Sequence, residues 1–437
     1  MKKYWSAYLL TAIVSLIYIS PILANVNSFP ELRTEDYTYY PGIKSVNLFQ
    51  VSSPPDVKIL DMNKPAISDI GQEFPFLLEF DELGSNTQNY YLKIINCNAD
   101  WSISQLNDIQ YLDKFNEYPI LDRQLSYNTR VGYCHYKIYL PKVMVSGNFL
   151  AVVYKNGDTK DIVLSKRYIV YEPLVDIKMD IKFPVNVADR ETGQQIDFLM
   201  NYTRYNIINP LANVKVVIRQ NFRWDNAITN LKPSFLDENS KLLQYWFFNR
   251  ENVFDGNNEF RYFDIRSNRF GGQNVGKVSF DANKTEVYLA EDLNRNSQPY
   301  SFYADFMDGR YVIYNYESGD REIQPDYVNT TFVLNSSKLT HDLYVMGSFN
   351  NWQCDNTTKM YYETGINRYL CKVLLKQGQY NYCYAAVNPS NGKKSISEIE
   401  GSFSITQNWY DILVYVRPFG AISDHLVGYG KVNYNGR

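Results

Sequence analysis

Histidine and cysteine are scarce in this 437-residue chain, at three and five residues, and their scarcity excludes more chemistry than any motif suggests. His135, His341 and His425 stand far apart, and none has another histidine or a cysteine at metal-ligand spacing. The sequence has no C-x-x-C, H-E-x-x-H or G-x-S-x-G, and no glycine-rich phosphate loop, so zinc, dithiol, α/β-hydrolase and nucleotide chemistry lack their usual carriers. Adjacent acidic pairs such as Glu291-Asp292 point to opposite faces of a strand and do not converge as glycosidase carboxylates must. An esterase would have to assemble a Ser-His-Asp set around His425 in the tail. No catalytic residue, metal site or cofactor is therefore expected.

Charge of one sign is also missing. The 44 Lys and Arg nearly balance the 47 Asp and Glu, leaving −3. Without a basic block the chain lacks the clustered cations that neutralise phosphates, so no nucleic-acid partner is expected. The doublet Lys393-Lys394 lies in a turn and reads as a solvated loop. Long apolar runs are absent beyond the first 24 residues. There, Lys2-Lys3, an apolar run from Tyr8 to Ile19, Pro21 and Ile22-Leu23-Ala24 read as a signal peptide, too short for a spanning helix of ~20 residues. Asn25 follows the expected cut and no cysteine appears before Cys97, which argues against a lipid anchor. Residues 25–44 read as an extended leader.

Aromatic residues are plentiful: 39 Tyr, 24 Phe and six Trp. They fall in short alternating or apolar runs divided by turn-formers, the pattern of β-sandwiches. Asn156-Gly157 is a hairpin signal. Glu172-Pro173 marks a boundary, since the residue before proline avoids helix. The expected fold is all-β: tandem immunoglobulin-like sandwiches over 45–172, 173–325 and 326–437, the second with long loops. One short helix is expected in the first unit, capped by Ser102, with Ile103, Leu106, Ile109, Leu112 and Phe115 at helical spacing. All five cysteines belong to the secreted part, where disulfides are permitted. Cys97 and Cys134 share one unit; Cys354, Cys371 and Cys383 share another. Cys371 and Cys383 are expected opposite each other across a hairpin turning at Lys376 to Gln379, bonded or merely neighbours, and the sequence does not choose the pairing.

Several fixed-looking elements occur in order along the chain. They include Cys97 with Asp100-Trp101, Ser126 to Thr129, Tyr133 to Tyr136, Leu140-Pro141, Ser146 to Phe149 and Arg167-Tyr168. Later come Gln220-Asn221 with Arg223-Trp224-Asp225, Glu259 to Asp264, Val345 to Trp352, Leu374 to Tyr384, Leu413 to Phe419, Asp424 and Leu426 to Gly428. This series resembles the type IX secretion system plug proteins of Bacteroidetes, with Lys166-Arg167 standing where two arginines are usual. The resemblance implies a non-enzymatic periplasmic plug. Its implied partner is a very large outer-membrane β-barrel translocon, whose opening it fills when cargo and shuttle are absent.

Leu343 to Tyr384, with Gly347 to Trp352, also resembles an early-set immunoglobulin-like domain of the glycogen-binding type. That offers an alternative, a glycan-binding accessory protein of a polysaccharide uptake system stacking sugar on Trp352. However, Cys383 stands at the usual lysine and no second tryptophan follows before Trp409. Trp352 otherwise fills its own domain. Trp101 and Trp224, each beside an aspartate, are read either as interface anchors or as core residues. Candidate partner-binding residues, chosen on loop position, are Tyr245, Trp246, Phe247, Phe260, Arg261 and Tyr262.

Overall fold

Side chains along the strand Tyr90–Cys97 alternate between buried and half-buried, the period of two expected where one sheet face packs on a core. The computed structural model describes residues 31–436 except 55, 73–75, 268, 282–283 and 304–306. The expected signal peptide, 1–24, lies outside the described residues.

Three sandwiches result, and the all-β, tandem-sandwich expectation holds. In the first, Ile162–Tyr171, Gly147–Lys155 and Tyr90–Cys97 form one sheet, and Ile43–Gln50, Phe76–Leu83, Tyr133–Tyr139 and Asp122–Leu125 form the other. Phe80, Tyr90, Tyr136, Phe149 and Tyr168 fill the space between them. The second sandwich pairs Asp176–Lys182 with Gly193–Asn201 in one sheet, while its other sheet joins Val214–Gln220 to Asn408–Val416 and His425–Tyr434. The third contains Arg261–Asp264, Tyr311–Ile313 and Gly378–Val387 in one sheet, facing Val275–Phe280, Thr285–Leu289, Tyr327–Asn335 and Arg368–Lys376.

Sheet pairing thus crosses the expected division between residues 325 and 326. The third sandwich is inserted into the second, entering after Asp255 and returning before Asn408. Entry and exit run side by side: the Asn257 amide donates to Ser402 Oγ at 3.0 Å and the Phe403 amide to the Asn257 carbonyl at 2.9 Å. Gly256 permits this approach, because a Cβ there would stand 2.1 Å from the Phe403 carbonyl oxygen.

Two expectations are corrected. The helix over 102–115 is a loop with a single 3-10 turn at Asp108–Gln110. Ser102 bonds back to Asp100, Leu112 is buried, and Ile109 and Phe115 are more than 80% exposed, so the apolar residues do not share one helical face. Cys371 and Cys383 do not face each other across a hairpin. The chain turns a corner between Lys376 and Gly378 and places Cys371 opposite Phe332 in one sheet and Cys383 opposite Met346 in the other. All five cysteines are free thiols, and burial pushes those of Cys97, Cys371 and Cys383 up to about 12.

Buried ion pairs fasten both the seams between units and the interior of the third sandwich. Asp81 of the first sandwich meets Lys376 of the third at 2.6 Å, accepts a bond from Tyr327 at 2.7 Å, and lies 2.7 Å from His135 Nδ1. Glu400, at the exit of the third sandwich, meets Arg261 and Arg295 at 3.0 and 2.6 Å. Burial alone would raise the pKa of both carboxyls, but their cationic partners hold them below the ordinary range. Depressed carboxylates contribute stability that is complete above ~4, the unfolded value, and lost as pH falls through the folded values. The urea midpoint should accordingly hold from pH 7 to about 5 and fall steeply below pH ~4. Asp81→Asn, which leaves Lys376 uncompensated, should cost about 3–5 kcal/mol in the same measurement at pH 7. A midpoint flat down to pH ~3 would contradict the assignment.

Candidate functional site

One tryptophan from each sandwich reaches the place where all three meet. Trp101 belongs to the first, Trp224 to the second and Trp352 to the third. Trp101 and Trp224 pack edge to face with centroids 4.9 Å apart. Arginines fill the spaces between the rings. Arg167 lies 4.2 Å from the centroid of Trp101 and 5.4 Å from that of Trp224, Arg219 covers Trp224 at 4.4 Å, and Arg223 covers Trp352 at 4.1 Å. A guanidinium suits this role because it is flat, permanently charged and weakly hydrated.

The local backbone explains how the rings are aimed. Asn221-Phe222 have φ of 53° and 59°, and Asn351-Trp352 have φ of 54° and 60°. Each pair is closed by an i to i+3 bond, from the Arg223 amide to the Gln220 carbonyl at 3.2 Å and from the Gln353 amide to the Asn350 carbonyl at 3.1 Å. Two left-handed residues inside such a bond make a primed turn, normally a hairpin device using Asn-Gly. Here an aromatic replaces the glycine, at a cost on the order of 1–3 kcal/mol for each strained residue. Trp101 also has a left-handed backbone, with φ of 66°, but it closes its turn rather than lying inside it, its amide bonded to the Asn98 carbonyl at 2.9 Å.

These elements enclose a cavity of about 430 Å³. Five cationic side chains line it. Arg219 is bonded to Asp411 through Nε at 3.1 Å and Nη2 at 2.5 Å, Arg223 to Asp225 at 2.9 and 2.7 Å, and Lys166 to Asp36 at 3.1 Å. Burial would raise the Asp225 carboxyl, yet Arg223 and Lys394 bring it down to about 2. Arg167 and Arg310 differ: neither bonds a carboxylate among the described residues. Arg167 gives its Nε to the Thr34 carbonyl at 2.6 Å, and Arg310 gives Nη1 to the Lys64 carbonyl at 2.8 Å.

The residues expected at a partner surface are placed unevenly. Tyr245 ends the strand Leu242–Tyr245, is fully buried and stacks on Phe198 at 4.2 Å. Arg261 begins the strand Arg261–Asp264 and is 8% exposed between Glu400 and Asp292. Both are therefore structural, because strands rather than long loops hold them. Phe247 packs on the second core, Phe260 against Trp352 and Tyr262 against Tyr303. Trp246 alone of the six is exposed, next to Phe248 at 83%. Sugar stacking on Trp352 is not favoured, since Arg223 and Phe260 occupy its surroundings. Trp101 and Trp224 do fill buried space, but at the seam between sandwiches rather than within separate cores.

Elsewhere, Glu79, His135 and Glu322 bring donor atoms within 4.8 Å of one another. Arg321 already bonds both carboxylates at 3.0 Å and Lys137 bonds Glu322 at 2.8 Å, so this cluster reads as a lock between the first and third sandwiches. His425 begins the strand His425–Tyr434 rather than lying in a loop.

The fold and its junction define the class: an all-β protein of three sandwiches whose parts converge on one aromatic and arginine junction. The chain belongs to the type 9 secretion system plug protein family: residues 43–172 match the family model described as the type 9 secretion system plug protein 1st domain. A crystal structure of a hypothetical protein from Parabacteroides merdae ATCC 43184 is similar over 92% of this chain and 100% of that one, at 30% identity and a TM-score of 0.85. No curated protein matches the chain.

Arg310 and Asp411 carried no local signal in the sequence, being an isolated arginine after a glycine and an aspartate within an apolar strand. Trp224→Ala should destabilise the protein by about 3–5 kcal/mol in urea unfolding. Combined with Trp101→Ala the loss should fall short of additive, because the two rings support each other. Strict additivity would show that they do not.

Proposed function

We propose that the protein is a non-enzymatic periplasmic plug that binds the very large outer-membrane barrel of the type IX system and occludes its periplasmic opening when cargo and shuttle are absent. The observation that carries this reading is the family match over 43–172. The geometry suits it. A barrel with an aqueous lumen leaks unless a body of fixed shape fills its mouth, and shape is fixed here by ion pairs and ring stacking across every seam. No helix among the described residues is long and apolar enough to cross a membrane, so attachment to the outer membrane would run through the partner.

Contact with a barrel that must later open favours a modest surface with a few aromatic anchors over a large dry one. Trp246 and Phe248, both exposed and two residues apart on one connection, are the aromatic pair proposed as anchor. Affinity purification of the tagged protein from its own outer membrane in mild detergent should recover a very large barrel protein in a pool lacking the cargo shuttle. Replacing Trp246 and Phe248 together by Ala should cut that recovery about tenfold or more while leaving the urea midpoint unchanged. Absence of any barrel from the wild-type pool would sink the plug reading, and undiminished recovery with the double variant would remove these two anchors.

A further inference from the structure

Arginine charge in the junction cavity exceeds what the surrounding carboxylates bond. Arg219 has its carboxylate in Asp411, but it stands close enough to Arg167 and to Arg310 for its charge to disfavour theirs. Burial is the larger influence on both, and brings Arg310 down to about 10. A guanidinium offers five N–H donors, and among the described residues each of these two uses one side-chain donor, on a backbone carbonyl. The acids lining the cavity have other bonded partners, Glu35 in Arg33, Asp36 in Lys166 and the Arg167 amide, Asp225 in Arg223 and Lys394, although Asp36 and Glu35 still attract the Arg167 guanidinium without bonding it. Asp308 also attracts Arg310.

A buried charge without a bonded counter-charge is costly, and the cost is relieved when an anion enters. Space is available. The cavity, about 430 Å³, is within the range of small-molecule sites, and Phe222 and Trp352 supply apolar wall beside the cationic one. Stacking holds the donors in place: Arg167 is wedged between two indoles and Arg310 lies 5.7 Å from the Phe222 centroid, so little side-chain entropy remains to be lost on binding. Strained turns at Asn221-Phe222 and Asn351-Trp352 shape the walls, and such strain concentrates at ligand sites.

We propose that the cavity where the three sandwiches meet is a binding site for a small oxyanion, a phosphate or carboxylate group on a compact molecule, received by Arg167 and Arg310. Arginine presents its donors as a fork that matches either group. An occupant would neutralise the repulsion among Arg167, Arg219 and Arg310 and so fasten the sandwiches to one another. This site is independent of the barrel contact and survives if that contact proves to lie elsewhere.

Isothermal titration of the full mature chain with inorganic phosphate, and separately with citrate, tests the proposal. A saturable heat at one site per chain is expected in at least one arm, accompanied by a rise in Tm, and the arm that responds names the source of the oxyanion. Arg310→Gln should weaken binding tenfold or more. Arg310→Lys, which keeps the charge and loses the fork, should weaken it less and serves where the glutamine variant fails to fold by circular dichroism. Arg204→Gln, at an exposed pair with Asp176, should leave the affinity unchanged. No heat from either anion at concentrations on the order of tens of millimolar would overturn the proposal, as would equal affinity in wild type and both Arg310 variants.

Discussion

Arginine charge held against tryptophan faces is the interaction on which the arrangement of this protein depends. Apolar seams alone, such as that of Ile169, Val217, Leu413 and Tyr415 between the first two sandwiches, are favourable but non-directional and would tolerate sliding. Stacked guanidiniums do not slide, because each is also pinned by hydrogen bonds: Arg219 to Asp411, Arg223 to Asp225, Arg167 to the Thr34 carbonyl. A lysine at any of these positions would keep the charge but neither the flat face nor the fork. The junction therefore sets orientation, while the three cores supply most of the stability.

Covalent topology reinforces the same constraint. Because the third sandwich is inserted between strands of the second, two chain segments cross that boundary, and their mutual hydrogen bonds make the crossing a short ribbon rather than a hinge. The first sandwich has only the Glu172-Pro173 connection, and polar contacts hold it elsewhere. Asp424 of the second sandwich accepts the Ala99 amide at 3.0 Å, Tyr415 donates to Asn148 at 2.7 Å, and Asp326 of the third accepts the Arg130 amide at 3.0 Å. Relative motion is the default for linked domains unless the interface prevents it, and here every pair of sandwiches has a bonded interface. Fixed shape is what an occluding body needs and what a hinged enzyme would forgo.

The sequence made the fold class legible because alternation along strands is local, whereas the order of strands in sheets is not. The strands Asn408–Val416 and His425–Tyr434 fall within the expected third unit, 326–437, yet complete the second, since nothing local tells a strand which edge it will join. The misread helix has the same origin. Leu106 and Leu112 face inward from an irregular loop, and their spacing imitates a helical stripe that Ile109 and Phe115 then violate by facing solvent. Asn- and Gly-rich stretches beside Tyr245 and Arg261 suggest loops, although short strands carry both. The junction was half legible. Asp100-Trp101, Arg223-Trp224-Asp225 and Asn351-Trp352 could each be singled out, but their meeting is a tertiary fact.

The placement of strain argues that the junction is kept for more than stability. Asparagine enters left-handed backbone cheaply, but Trp101, Phe222 and Trp352 do not, and six of the fifteen positive-φ non-glycine residues among those described gather here once Asn221, Asp308 and Asn351 are included. A sequence selected only to hold three sandwiches together could place glycine after each asparagine and let leucines fill the seam. Such a seam would be dry and relaxed. What stands there instead is a pair of aromatic primed turns, drawn from two different sandwiches, framing a cavity with two arginines whose guanidiniums bond no carboxylate among the described residues. Departures from local preference that coincide in one place, with charge left over, are the mark of a site shaped for something that enters it.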